Sequence, residues 1–308
     1  MPILRSALIA LSRNYALRQF CERSKLGTRL NSRFIAGMKQ DDALRVTEAV
    51  NRQGIAVTLD SLGESVTNEA EAHSAAEVYH QMLAAIHTEG LNANISVKLS
   101  QMGLNLSPAL AELIARTLAE HASAVHNFVR IDMEDSSLTQ STLNIVRHIH
   151  SHGELHGSTG VVIQAYLYRS LADMEQLLKE GIRIRLCKGA YNEPPLVAFP
   201  RKTDVDANYL RLAKMLLNSG IYHAIATHDE SIIAAIKEYA RVNLISSAGF
   251  EFQMLYGVRR DLQRQLVREG YNVRVYVPFG TEWYPYFMRR LAERPANVLF
   301  LARNLLHS

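Results

Sequence analysis

An α/β fold, specifically a (βα)8 barrel of the TIM type, is what this 308-residue sequence predicts, on three observations. Short β-branched runs recur at residues 55–60, 94–99, 128–133, 161–166, 182–187, 223–228, 248–253 and 272–277. Stretches with helical periodicity lie between nearly all of them, a beat that places parallel strands beside crossover helices. Eight such units fit the roughly 250 residues that a closed barrel takes. An open doubly wound sheet is the alternative. It is disfavoured because no Gly-x-Gly-x-x-Gly turn follows the first strand and no Walker-type phosphate loop occurs.

Residues 1–50 precede this beat and are expected to form a basic helical arm, with residues 51–308 as the barrel domain. Eight Lys/Arg against the single acid Glu22 give residues 1–39 a charge of +7. The whole chain carries +4, so the remainder carries −3. Apolar residues at helical spacing run between the arginines. That pattern suits a lid on the barrel, a segment for an anionic membrane surface, or an organelle transit peptide. No apolar run reaches the 18 residues that signal a spanning helix. Two cysteines, Cys21 and Cys187, argue against a disulfide framework and fit a reducing compartment. Nucleic-acid binding is not expected, since no zinc spacing, helix-turn-helix signal or aromatic-interleaved basic motif is present.

The strands carry the unusual pattern. A strand buried on both faces should be apolar throughout, yet these alternate. Val57 and Leu59, Val129 and Ile131, Ile182 and Ile184, and Val273 and Val275 form one parity. Thr58, Asp60, Ser96, Lys98, Arg130, Asp132, Glu134, Gln164, Tyr166, Arg183, Arg185, His228, Glu251, Gln253, Arg274 and Tyr276 form the other. With helices covering the apolar parity, the polar one faces the lumen. Buried charges persist only when paired, so a luminal ion-pair network is expected. Lys98, Asp132, Glu134, Gln164, Arg185, His228 and Tyr276 would ring the carboxyl end, where barrel enzymes place their chemistry.

Among helices, residues 68–90 and 206–220 read clearly, the second ending on a glycine. The segment HIHSHGELH (148–156) reads as a polar loop at the opposite, stable face. After the last strand, a Pro-Phe-Gly turn leads into a helix opening at Thr281. Tyr286, Arg289, Arg290 and Glu293 share one face of that helix. Paired arginines beside an aromatic form a multi-donor clamp for a small carboxylate. They equally suit a solvated surface.

Three chemistries fit such a mouth. Asp132, Glu134 and His228 could converge on a metal. Lys98 or Lys188 could form a Schiff base, if neighbouring arginines lower the lysine pKa. An anionic organic cofactor would account for the surplus of cationic and amide donors without any nucleophile.

Four segments, RLCKGAY (185–191), ATHDE (226–230), FEFQMLYG (250–257) and VYVPFGTEWYPYFMRRLAERPAN (275–297), together resemble the flavin-dependent proline dehydrogenases, in the short monofunctional bacterial form. The likeness runs from about residue 32 into the C-terminal region. It implies a distorted barrel with FAD at the mouth, the last helix lying over that mouth, and no metal. It also implies oxidation of L-proline to Δ1-pyrroline-5-carboxylate, with hydride passing from C5 to flavin N5 and electrons going on to a membrane quinone. Activity would rise with pH, because the bound amine must be neutral. By resemblance, Arg289 and Arg290 grip the proline carboxylate with help from Lys98. Tyr191, Leu255, Tyr276 and Tyr286 wall the pyrrolidine ring, and Asp132 supports them. Arg185 lies beside flavin N5, Gln164 at the isoalloxazine edge, Lys188, Thr227 and His228 at the adenosine or pyrophosphate portion, and Glu293 at the ribityl chain. The implied location is cytoplasmic, with the basic arm offering peripheral contact at the inner face of the membrane. Cys187 stands where family members commonly carry Val, and Asn192 where some relatives place an aromatic. Tyr276 favours proline over hydroxyproline, since relatives that prefer the latter tend to carry a smaller residue there.

Overall fold

The structure is a computed structural model that describes residues 34–63, 66–284, 286 and 288. Eight parallel strands close into one barrel in sequence order. They are β1 (Ala56–Ser61), β2 (Ala93–Val97), β3 (Val129–Ile131), β4 (Thr159–Gln164), β5 (Arg183–Cys187), β6 (His223–Ala226), β7 (Phe250–Leu255) and β8 (Asn272–Phe279). Helix α1 (Gln40–Asn51) precedes β1 and packs against β1 and β8. Helices α2 (Glu69–Thr88), α3 (Pro108–Ala124), α4 (Thr139–Ser151), α5 (Ser170–Lys179), α6 (Lys202–Asn218), α7 (Glu230–Val242) and α8 (Arg260–Arg268) follow β1 to β7 in turn. The barrel expected from the alternation is therefore present, and the open sheet is not.

Local chemistry explains where several helices start. Asn68 Oδ1 accepts from Glu71 N at 2.9 Å and opens α2, and Ser107 opens α3 with Pro108 at its first position. Asp229 caps α7 through Ser231 N at 3.2 Å. The apolar parity makes the wall between sheet and helices: Val57, Leu59, Val129, Ile131, Ile184 and Val277 are all fully buried.

Three sequence expectations need correction here. The His-rich segment is only partly loop: α4 runs to Ser151, so His148 and His150 sit in its last turn. There His148 Nδ1 faces Glu112 Oε1 at 2.5 Å, and the His150 and His156 rings lie 4.1 Å apart. The Pro-Phe-Gly turn is shortened, because β8 continues through Pro278 and Phe279. Pro278 lacks a donor, but its carbonyl accepts from Ala36 N at 2.9 Å, and the chain turns only at Gly280, φ +122. The following helix starts at Trp283 instead of Thr281. Residues 1–33 of the basic arm lie outside the described residues.

His223 at the start of β6 reports on the amino-terminal end of the barrel wall, on the parity of Ile225 that faces the helices. It is buried; its Nδ1 accepts from Ile184 N at 2.9 Å, so Nε2 carries the proton toward Ser219 Oγ at 3.0 Å. Burial first, then the charges of Arg130 and Arg183, push its pKa down to about 3. In the unfolded chain a histidine titrates near 6.5. The stability that this neutral ring contributes is complete above about pH 6.5 and is lost as pH falls toward 3. We expect the urea midpoint to drop between pH 7 and pH 4.5, and the drop to shrink in His223→Gln. An equal drop in both proteins would remove His223 from the account.

Candidate active site

The carboxyl ends of the strands gather a charged constellation around Asp132, one residue past β3. Its Oδ1 accepts from Ser96 Oγ at 2.6 Å and Arg185 Nη1 at 2.8 Å, and its Oδ2 accepts from the Tyr276 hydroxyl at 2.8 Å. Lys98 Nζ lies 3.9 Å from Oδ2. Four strands (β2, β3, β5 and β8) thus meet on one carboxylate. Burial opposes the charge of Asp132, but Arg185 and Lys98 outweigh it and hold the carboxyl below its ordinary range. The Arg185 guanidinium also lies over the Tyr276 ring, 5.3 Å from its centroid.

Lys98 is not a lysine of lowered pKa. Its Nζ binds both oxygens of Asp60, at 3.0 and 2.9 Å. Burial works against its charge, but Asp60 and Asp132 prevail and hold it above the usual lysine range. The arginines expected to depress it are themselves turned toward carboxylates, carbonyls or ring faces. This removes the premise of the Schiff-base alternative at Lys98. At Lys188 the ammonium is likewise paired, with Asp206 Oδ1 at 2.6 Å and Asp229 Oδ2 at 2.9 Å.

The luminal network is present but incomplete. Arg274 Nε pairs with both oxygens of Glu251 at 3.0 Å, and its Nη1 reaches Val57 O at 2.8 Å and Asn94 Oδ1 at 2.9 Å. Glu251 also takes Gln253 Nε2 at 2.6 Å and the Tyr222 hydroxyl at 3.1 Å. Arg130 and Arg183 depart from the expectation. Arg130 donates to the carbonyls of Val161 (3.1 Å) and Arg183 (2.7 Å), and both guanidiniums stack on Phe128. Among the described residues neither pairs with an acid: Arg130 meets carbonyls and a ring face, and Arg183 the rings of Phe128 and Tyr222. Glu134, too, is held by a hydroxyl and an amide, those of Ser100, and burial raises its pKa.

Gln164 and Arg185 supply the test for a bound cofactor. Gln164, 3% exposed, donates Nε2 to Glu134 O at 2.7 Å, while its Oε1 has no partner among the described residues. Arg185, 6% exposed, leaves Nε and Nη2 without hydrogen-bond partners among the described residues. One buried acceptor and two buried donors, none bonded to another, cost free energy unless something satisfies them. The edge of a planar, nitrogen-rich ring system has the matching groups. Beyond β5, Gly189 adopts φ +109, and a Cβ there would come within 2.2 Å of the Tyr166 ring. The Lys188–Tyr191 turn therefore passes closer to Tyr166 than any side chain would permit.

A second cluster lies around the ends of β6 and β7. The Leu255 amide donates to His228 Nε2 at 2.9 Å, which fixes the neutral ring with its proton on Nδ1. Buried Thr227 takes the Asp229 amide on Oγ1 at 3.1 Å. Tyr191 is 41% exposed on the loop after β5, and Tyr286 is buried. Arg289, Arg290 and Glu293 lie outside the described residues. Sequence reasoning did not single out Asp206 or Asp229, which hold Lys188, nor Glu193. Glu193 Oε1 accepts from Ser136 N at 2.7 Å and ties the β5–α6 loop to the β3–α4 loop. The Asp before α7 was a legible cap signal; the other two had none.

The pattern describing the family "Proline dehydrogenase" matches residues 43–303. "Proline dehydrogenase 1" of Bacillus subtilis (strain 168) is 43% identical over 305 residues, covering 99% of each chain. The chain belongs to the proline dehydrogenase family. The "Proline dehydrogenase" of Deinococcus radiodurans is 42% identical over 281 residues, covering 90% of each chain. Among solved structures, proline utilization A from Bdellovibrio bacteriovorus, inactivated by N-propargylglycine, superposes with a TM-score of 0.81 at 27% identity. That match covers 86% of this chain and 32% of the longer protein. As a proline dehydrogenase family member the chain is an oxidoreductase of proline metabolism, and its barrel is the one these relatives share.

Proposed function

We propose that the chain oxidises L-proline to Δ1-pyrroline-5-carboxylate with FAD as its bound oxidant, the first step of proline catabolism. The observation that carries this reading is the single carboxylate of Asp132, on which Ser96, Arg185 and Tyr276 converge beside Lys98. It makes a rigid, cationic floor for a small carboxylate substrate. Lys98, with Arg289 and Arg290 from the last helix, takes the proline carboxylate. Tyr276, Tyr286, Leu255 and Tyr191 enclose the ring and exclude water. Asp132 holds Arg185 and Tyr276 in place. Gln164 and Arg185 would hold the ring system of FAD, Lys188, Thr227 and His228 its adenosine or pyrophosphate portion, and Glu293 its ribityl chain. When bound, FAD supplies the two-electron acceptor that takes the C5 hydride while the ring nitrogen gives up its proton.

The purified chain should be yellow, release FAD on heating, and lose its visible flavin band when L-proline is added without oxygen. A colourless protein, trapped by borohydride in the presence of a carbonyl substrate, would return the site to Schiff-base chemistry. Tyr276→Ser should narrow the preference for proline over 4-hydroxyproline, because the hydroxyl that binds Asp132 and the ring that fills the site leave together. Unchanged selectivity would remove Tyr276 from the ring pocket.

The electron acceptor we propose is a membrane quinone, reached from the cytoplasmic side. We take residues 51–308 as the catalytic barrel and residues 1–50 as the arm, whose +7 over residues 1–39 favours an anionic lipid surface. No helix of the described residues is long and apolar enough to cross a membrane. Deleting residues 1–39 should abolish co-sedimentation with anionic liposomes; retention after deletion would sink the membrane role.

A further inference from the structure

Lys98 is given its place in the site by a residue that has no place in the chemistry outlined above. Asp60 is the fifth residue of β1 and is 1% exposed. Both its oxygens face Lys98 Nζ, at 3.0 and 2.9 Å. Its back is closed by Tyr79 of α2, itself fully buried, whose hydroxyl lies 3.3 Å from Asp60 Oδ1. The Tyr79 hydroxyl is fixed in turn by the Ser61 amide, which donates to it at 3.2 Å. Asp60 therefore sits in a frame built from β1 and α2, while the ammonium it holds comes from the end of β2.

A lysine stem has four rotatable bonds and an ammonium three donors. Two directions of the Lys98 ammonium are taken by the fork of Asp60. Asp132 at 3.9 Å is beyond hydrogen-bonding distance. The third donor thus has no partner among the described residues, and its direction is set by the other two. Without the fork, the nearest carboxylate is Asp132, already engaged by Ser96, Arg185 and Tyr276. An unrestrained Lys98 would move onto it and compete for the oxygens that orient Arg185 and Tyr276.

We infer that Asp60 is a positioning residue of this site, which aims the Lys98 ammonium at the substrate carboxylate and keeps it off Asp132. The inference rests on the reading of the site as a proline pocket. It assigns Asp60 an effect on substrate affinity that acts only through Lys98.

A double-mutant cycle tests it on the holoenzyme, with Asp60→Asn, Lys98→Met and the double variant measured for kcat, KM and thermal midpoint. Asp60→Asn should raise KM for proline by about tenfold or more, with a smaller change in kcat, as expected for lost binding of the carboxylate. In the Lys98→Met background the same replacement should change KM by less than about threefold. Effects that multiply, or an Asp60→Asn variant with wild-type KM, would overturn the inference. Should Asp60→Asn fail to fold, the double variant decides: its folding supports a role through Lys98, and its failure to fold shows a scaffold role independent of the lysine. Wild-type protein that does not turn over proline would defeat the functional reading alone. The thermal midpoints of the four proteins would still report whether Asp60 and Lys98 are coupled.

Discussion

Asp132→Asn lowers kcat/KM for proline by roughly two to three orders of magnitude, the equivalent of about 3–4 kcal/mol. The replacement is isosteric, so the cost comes from charge and donor direction. Asn offers one acceptor oxygen where three donors now converge: Ser96 Oγ, Arg185 Nη1 and the Tyr276 hydroxyl. Arg185 and Lys98 would then face each other without their shared counter-ion, in a site where burial already disfavours charge. Stopped-flow reduction by proline separates the binding and chemical parts of the loss. A variant within threefold of wild type would show that Asp132 is a bystander to the chemistry and that the convergence is only structural.

Glu251→Gln has the opposite signature: a stability loss of about 3–5 kcal/mol with kcat/KM close to wild type. Glu251 accepts from Arg274 Nε, Gln253 and Tyr222, and it stands in the same lumen as Arg130 and Arg183, which pair with no acid among the described residues. Removing its charge leaves three guanidiniums in the lower barrel without a carboxylate. Burial already pushes the pKa of both Arg130 and Arg183 downward. Urea unfolding at pH 7 reads the loss. A midpoint unchanged from wild type would mean that water and carbonyls suffice to neutralise this part of the lumen. Together the two variants distinguish a barrel mouth built for chemistry from a barrel floor built for closure.

The polar parity of the strands was enough to locate the lumen, because a parallel strand has a period of two and only one face could be apolar. It placed Asp60, Lys98, Asp132, Arg185, Glu251, Arg274 and Tyr276 inside, where they are found. Pairing was not legible. Which acid faces which base depends on strand stagger around the closed sheet, and that is set by partners far away in sequence, such as Asp60 opposite Pro278. So Lys98 was expected among arginines and lies between two aspartates. Arg130 and Arg183 were expected among acids and lie on Phe128, one residue before β3, because ring faces and carbonyls can stand in for a counter-ion. The Lys188 cluster was hidden for another reason. Asp229 precedes α7, where an Asp ordinarily signals a cap and nothing more, and Asp206 lies inside α6 with no signal of its own. The arginine pair of the last helix was legible only as a motif, and its position lies outside the described residues.

One feature of the closed sheet bears on how the molecule comes into being. The seam between β1 and β8 joins segments more than two hundred positions apart; Arg274 reaches Val57 O across a separation of 217 residues. Loop closure on that scale is slow compared with local helix formation. The site straddles this seam: Asp60 stands on its β1 side and Tyr276 on its β8 side, with Asp132 reached from both directions through Lys98 and the Tyr276 hydroxyl. In a chain emerging from the ribosome, Asp60, Lys98, Ser96, Asp132 and Arg185 are made before the last strand, which supplies the Tyr276 wall. The mouth is complete only once the sheet is sealed, and any variant that slows sealing lengthens the time during which the charged lumen is open to water and to other chains.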